Sequence, residues 1–307
     1  MEREKLAKAK RIVIKVGSST ITYPNGKVNY EKIEKLARIM ADLQNSGHEM
    51  ILVSSGAGAV GVGRLKFEGK PKDMPGKQAC AAVGQGILMH IYERLFAEYG
   101  QTVAQVLLTR ADTLDRHHYA NSRNTFQKLL EWGVIPVVNE NDVVAIDEFK
   151  IGDNDNLSAL VAGIVDADVD ILLSDVDGLY TANPQSHPDA RLISEVPEIT
   201  PELEAMAGGA GSKNGTGGMI TKIQAAKGAN SSGKTRRCCA RSFGEMPWGP
   251  FLFPIFLISR PGNSGWLLAL RWRVRSLSML ALKRPSSKKA AAAFFRSASR
   301  LSEGTLK

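Results

Sequence analysis

Ile135-Pro136-Val137-Val138-Asn139-Glu140-Asn141-Asp142 opens as a buried strand and turns abruptly into a block of amides and carboxylates. A short alternating segment follows, which reads as a hairpin. The chain then returns through Gly152-Asp153-Asn154-Asp155-Asn156 to an apolar helix, Leu157 to Val165. In open α/β sheets ligands bind at the carboxyl ends of the strands, and polar clusters at a strand end and a helix start suit a small polar ligand. Asn and Asp also serve as turn formers and N-caps. Two such clusters joined by a hairpin, in a chain with basic glycine-rich segments elsewhere, favour a site.

The segments on either side place this stretch inside an alternating pattern. Arg11 to Val16 is a short apolar strand interrupted by Lys15 and followed by Gly17-Ser18-Ser19. A lysine there either snorkels at a sheet edge or reaches a phosphate beside the turn. Ile33, Leu36, Ala37, Met40 and Leu43 recur at helical spacing over Tyr30 to Ser46, with Gly47 as C-cap. Met50 to Val53 is the next strand. Gly76 to Tyr99 is a helix, Val103 to Leu108 a strand, and Tyr119 to Trp132 a helix stopped by Gly133. Beyond the opening stretch, Ile171 to Ser174 is a strand leading into Asp175-Val176-Asp177-Gly178, and Ile199 to Met206 is a short helix. The alternation predicts an α/β fold, a three-layer αβα sandwich with a mainly parallel central sheet.

Two glycine-rich segments carry candidate chemistry. Gly56, Gly58 and Gly61 match GxGxxG directly after a strand, the context of a dinucleotide fingerprint. It follows the second strand rather than the first, and the acid expected further on is only Asp73 in a proline-rich loop. A glycine turn that lets a ligand approach the backbone is the better expectation. Gly208 to Gly218 precedes the helix Met219 to Lys227, with Lys222 in its first turns. Free N–H groups at a helix start beside a lysine make an anion site, although a flexible linker has a similar composition. His117-His118 lacks partners at metal-ligand spacing and reads as a solvated loop pair.

Composition bounds the setting. The 307 residues suffice for one large α/β domain or two smaller ones. Cys80, Cys238 and Cys239 form no disulfide or metal framework, nothing near Met1 reads as a signal peptide, and no run of about 18 apolar residues occurs. A reducing, cytoplasmic setting without membrane insertion is expected. The net charge of +9 is unevenly spread. Residues 1–227 hold 25 Lys+Arg against 29 Asp+Glu, a net −4, whereas residues 228–307 hold 15 against 2, a net +13.

Lys15 to Ser19 (KVGSS), Asp175 to Pro184 (DVDGLYTANP) and Gly215 to Lys222 (GTGGMITK) together resemble the amino acid kinase superfamily. NENDVVA and KIGDNDNLSALVA resemble, within it, the glutamate 5-kinases, which open proline synthesis. The resemblance runs in unbroken order over about residues 10–230. It implies ATP-dependent phosphorylation of the γ-carboxylate of L-glutamate, with Mg²⁺ on the ATP phosphates. By similarity Lys15 and Lys222 bracket the transferring phosphoryl group and Asp155 holds both lysines. Ser55, Asp142 and Asn154 match glutamate-binding positions. Lys15, Ser174, Asp175, Thr216, Gly217, Gly218, Met219, Ile220, Thr221 and Lys222 match nucleotide-holding segments. No protein metal ligands are implied. The family further implies a glutamyl phosphate reductase as pathway partner, proline as feedback inhibitor, and a homo-oligomer. Siblings acting on aspartate, carbamate or a phosphorylated small molecule are the nearest alternative, and a nicotinamide-dependent oxidoreductase a distant one.

From about Gly228 the family pattern fails, which divides the chain into a kinase domain (1–230, its closing strands missing) and a basic tail (231–307). Lys234 to Arg241 does not read as a buried strand, and the apolar run Phe251 to Ile258 contains Pro254. An altered reading frame near residues 228–235 accounts for the simultaneous change in composition and pattern, and predicts a tail that is out of frame or disordered and a chain that folds poorly or is inactive. A basic arm for nucleic acid or anionic membrane is the functional alternative, and the expectation is no nucleic-acid partner. Gly228 to Thr235 satisfies the string GxxxxGK[ST], but it follows a helix rather than a strand, so no P-loop is expected.

Overall fold

A computed structural model describes residues 9–145, 153–174, 179–182, 187–193, 196, 199–207, 219–231, 237–242 and 254–259. Five strands are parallel: β1 (Arg11–Val16), β2 (Glu49–Ser54), β3 (Val103–Leu108), β4 (Ile135–Glu140) and β5 (Val169–Leu173). Their order is β3-β4-β2-β1-β5, extended by β7 (Pro254–Ser259), antiparallel to β5, and by β6 (Arg237–Ser242), antiparallel to β7. The helices are α1 (Ser18–Ile21), α2 (Tyr30–Asn45), α3 (Ala57–Leu65), α4 (Met74–Ala97), α5 (Arg110–Leu114), α6 (Arg116–Glu131), α7 (Asn154–Ile164), α8 (Pro201–Ala207) and α9 (Met219–Ser231).

The sandwich follows from the strand sequences. Residues 12–16 of β1 and 50–54 of β2 are buried on both faces, as a central parallel strand requires. Ile12, Ile14 and Val16 join one core with Ile33, Leu36 and Met40 of α2 and Leu88, Tyr92 and Phe96 of α4. Val13 faces the opposite core, built with Phe126 and Leu130 of α6 and Leu157 and Val161 of α7. Strand alternation therefore puts Lys15 on the face that carries α7.

Several expectations are corrected. Lys15 is not at a sheet edge, because β1 lies between β2 and β5. His117 and His118 lie in the first turn of α6 rather than in a loop: Asp115 caps that helix, and His118 Nδ1 sits 3.0 Å from Asp112 Oδ1. Residues 237–242 and 254–259 do form strands. A strand at the edge of a sheet needs only one hydrogen-bonded neighbour, and Pro254 is tolerated as the first residue of β7. Gly228 to Ser231 continue α9, so the P-loop string begins inside a helix. The expected hairpin after Asp142 and the remainder of the tail lie outside the described residues.

The GxGxxG segment forms the Ser54–Ala57 turn and α3. Gly56 has φ +97°, and a Cβ on Gly61 would stand 1.8 Å from the carbonyl oxygen of Cys80 in α4. Gly84 of α4 is equally tight, with 1.8 Å to the Ala57 carbonyl. These glycines let two helices touch backbone to backbone, so a dinucleotide is not needed to account for them.

Candidate functional site

Four parallel strands end at one rim, and each delivers a polar group there. Lys15 is the penultimate residue of β1, Ser55 follows β2, Asn139 is the penultimate residue of β4 with Asp142 in the next turn, and Ser174 follows β5. Two helices start at the same rim. Asp153 caps α7 by accepting from Asp155 N–H, and Asp155 lies in that helix's first turn. Lys222 lies in the first turn of α9.

Asp155 is the centre of the site and is fully buried. Its Oδ1 is 2.6 Å from Lys15 Nζ, and its Oδ2 accepts from Lys222 Nζ at 2.9 Å and from Thr221 Oγ1 at 3.1 Å. Asp153 Oδ1 stands 3.8 Å from Lys15 Nζ. The ammonium groups are themselves 5% and 7% exposed as residues, so three charges share a low-dielectric pocket. Burial alone pushes the Asp155 carboxyl up. The fields of Lys15 and Lys222 and their hydrogen bonds overcome that, and the carboxyl lies below its ordinary 3.8. Two ammonium groups brought together at a strand-end rim suit an anion with several oxygens.

Beside this trio lies an amide network. Asn154 Nδ2 donates to the Ser54 carbonyl at 3.1 Å and to Asn139 Oδ1 at 2.8 Å. Asn139 Nδ2 donates to Gln85 Oε1 at 2.9 Å, and Ser54 Oγ lies 2.8 Å from the buried Tyr92 hydroxyl. Burial pushes the Tyr92 hydroxyl pKa up. Ser55 N–H donates to the Val16 carbonyl, tying the β2 turn to β1.

Of the expected site residues, the structure brings Lys15, Asp155, Thr221 and Lys222 into direct contact and puts Ser55, Asn154 and Ser174 on the same rim. Asp142 is half-buried in the turn after β4, and Met219 and Ile220 pack against the core at the start of α9. Asp175, Thr216, Gly217 and Gly218 lie outside the described residues. Gln85 and Tyr92 escaped the sequence reading, and Asn139 and Asp153 entered it only as members of the polar clusters, with no role of their own. Asn139 was visible in the polar block, but nothing local marked its partner on α4.

Residues 10–239 match the model of the amino acid kinase family. Over 228 residues the chain is 58% identical to the glutamate 5-kinase of Moorella thermoacetica, covering 74% of this chain and 60% of that protein. It is 56% identical over 232 residues to the glutamate 5-kinase of Clostridium acetobutylicum, covering 75% of this chain and 87% of that one. The chain thus spans less than two thirds of the first relative and most of the second. The crystal structure of UMP kinase from Ureaplasma parvum superimposes with a TM-score of 0.50 at 14% identity, covering 75% of this chain and 88% of that one, a likeness of fold.

Proposed function

The chain belongs to the amino acid kinase family, and from that membership we propose that it transfers the γ-phosphoryl group of ATP to the γ-carboxylate of L-glutamate. The observation that carries this is Asp155 gripping Lys15 from β1 and Lys222 from α9 at the rim where Ser55, Asn154 and Ser174 also lie. The 56% identity to a glutamate 5-kinase covered over 87% of its length supports glutamate as the acceptor.

Phosphoryl transfer to a carboxylate needs no general base, because the nucleophile is already an anion. A γ-carboxylate oxygen forms the new bond to the γ-phosphorus. The bond to the β,γ-bridging oxygen breaks, and its electron pair leaves on ADP. Lys15 and Lys222 neutralise charge spreading over the phosphoryl oxygens, and Asp155 fixes their positions so that little reorganisation is needed. Asp142 suits the α-ammonium group of glutamate. Ser55 and Asn154 line the acceptor side, and Ser174, Asp175 and the segment Thr216 to Lys222 hold the nucleotide.

Magnesium, when bound to the triphosphate, supplies charge neutralisation. Both oxygens of Asp155 are engaged by ammonium groups, so Asp153 is the better-fitting carboxylate to receive a water of the ion's hydration shell. A cytoplasmic enzyme, a homo-oligomeric state, feedback by proline and delivery of the acyl phosphate to a reductase complete the proposal. The altered frame from about residue 228 belongs to it as well: a kinase domain over 1–230, and a chain that as it stands folds poorly or turns over little. Among the described residues no helix is long and apolar enough to cross a membrane.

The test, made on the chain with a family-like continuation joined after Lys227, is ADP release with L-glutamate, L-aspartate or carbamate as acceptor, with hydroxylamine added to trap an acyl phosphate as its hydroxamate. Glutamate-dependent release with γ-hydroxamate formation is expected. Release that prefers aspartate or carbamate would reassign the substrate within the family.

A further inference from the structure

Gln78, Gln85 and Tyr92 recur at seven-residue spacing along α4 and so lie on one stripe of that helix. Each reaches a different piece of the rim. Gln78 Nε2 lies 3.4 Å from the Ala145 carbonyl, Gln85 accepts from Asn139, and Tyr92 pairs with Ser54 Oγ. The three rim segments are the turn holding Asp142, the end of β4 and the end of β2, which are the acceptor side of the proposed site. Among the described residues, Lys15 and Lys222 pair with Asp155 and Asp153 rather than with this stripe.

The central contact has a fixed polarity. The Ser54 carbonyl can only accept, so Asn154 turns Nδ2 toward it. The Glu140 N–H can only donate, so Asn139 turns Oδ1 toward it, at 2.9 Å, and that same oxygen accepts from Asn154. Asn139 is left with Nδ2, and Gln85 Oε1 is its acceptor. Asn139 is 4% exposed, so without Gln85 its N–H would be stranded away from water. Turning the amide over would set Nδ2 against two donors. The chain of orientations ends at Asn154, whose two Nδ2 hydrogens are consumed by the protein, leaving Oδ1 as the group it offers a ligand.

We propose that Gln85 is a positioning residue for the acceptor substrate, acting through Asn139 to orient the Asn154 amide, with Tyr92 steadying the β2 end of the same network. The ligand it serves carries a hydrogen-bond donor toward Asn154, as the ammonium group of an amino acid does. This rests on the glutamate-phosphorylating function proposed above.

The experiment is calorimetric titration of the full chain with L-glutamate, in the presence of a non-hydrolysable ATP analogue with Mg²⁺, and separately with that analogue alone. Gln85→Met should weaken glutamate binding roughly 10-fold, the scale of losing one buried hydrogen-bond partner, and leave the analogue's affinity within about two-fold. Gln85→Glu keeps the acceptor oxygen and should stay within about three-fold of wild type for glutamate. Tyr92→Phe, which keeps the ring, should show a smaller loss with the same selectivity. Equal weakening of both ligands, unchanged glutamate affinity in Gln85→Met, or a Gln85→Glu chain as weak as Gln85→Met would overturn the proposal. Should the wild-type chain bind the analogue but not glutamate, the substrate assignment fails on its own. Amide hydrogen exchange over residues 139–145 then decides: faster exchange in Gln85→Met than in Gln85→Glu supports the positioning role, and equal exchange overturns it.

Discussion

Asp155 is a carboxylate with no access to water, held between two ammonium groups that are themselves nearly buried. Such a trio is a poor source of net stability but a costly one to break, because removing one member strands the charge of the others. Asp155→Asn is therefore expected to lower unfolding free energy by about 3 kcal/mol at neutral pH. The pH dependence has a definite sign. A carboxyl whose folded value lies below its ordinary 3.8 contributes stability above that value and loses it as the pH falls through the folded one. The stability difference between wild type and Asp155→Asn should accordingly be flat from about pH 5 to about pH 8 and shrink only below about pH 4. Urea unfolding across that range measures it, and a difference that widens on acidification would contradict the trio. Lys15 also shows what a sequence conceals. Its two local readings, edge snorkelling and a phosphate contact, were equally legible, and what separates them is a carboxylate 140 positions further along the chain.

At the scale of elements, α3 and α4 pack through glycines that bring backbone against backbone. Gly61→Ala would drive its methyl group into the Cys80 carbonyl, an overpacking expected to cost about 1–3 kcal/mol or more. Gly58 lies in the same helix with nothing within 4 Å of its would-be Cβ, so Gly58→Ala should be neutral or stabilising by up to about 1 kcal/mol. Thermal unfolding of the two variants tests the contrast, and similar melting temperatures would refute it. The parallel strands were legible because strands covered on both faces read as continuous apolar runs, and β3 matches its expected bounds, Val103 to Leu108. The GxGxxG string was legible only as a turn, since its spacing cannot reveal that the partner of Gly61 is another helix. The single turn of α5 went unseen because five residues carry no periodicity, although Thr109 and Asp112 close a capping box there. The Gln78, Gln85, Tyr92 stripe was hidden for a related reason: polar residues at every second turn of a helix read as a solvated face.

For the whole molecule, the family match ends at residue 239, close to where acidic residues all but vanish, while β6 and β7 occupy the sheet edge beyond β5. Under the altered-frame proposal, one of the other two frames of the gene, read from about codon 228, encodes a family-like continuation. Finding none in either would remove the proposal. Joining such a continuation after Lys227 should raise soluble yield and turnover together. That restored protein also permits the most direct test of the central claim, that two ammonium groups held by Asp155 carry phosphoryl transfer to glutamate. The measurement is glutamate-dependent ADP release by Lys222→Ala beside Lys227→Ala, a lysine on the same helix whose exposed side chain pairs only with Glu204 at 2.5 Å among the described residues. A fall of at least about 100-fold is expected for Lys222→Ala, the scale of losing one preorganised electrostatic donor, and no more than about two-fold for Lys227→Ala. Comparable turnover in the two variants would contradict the account.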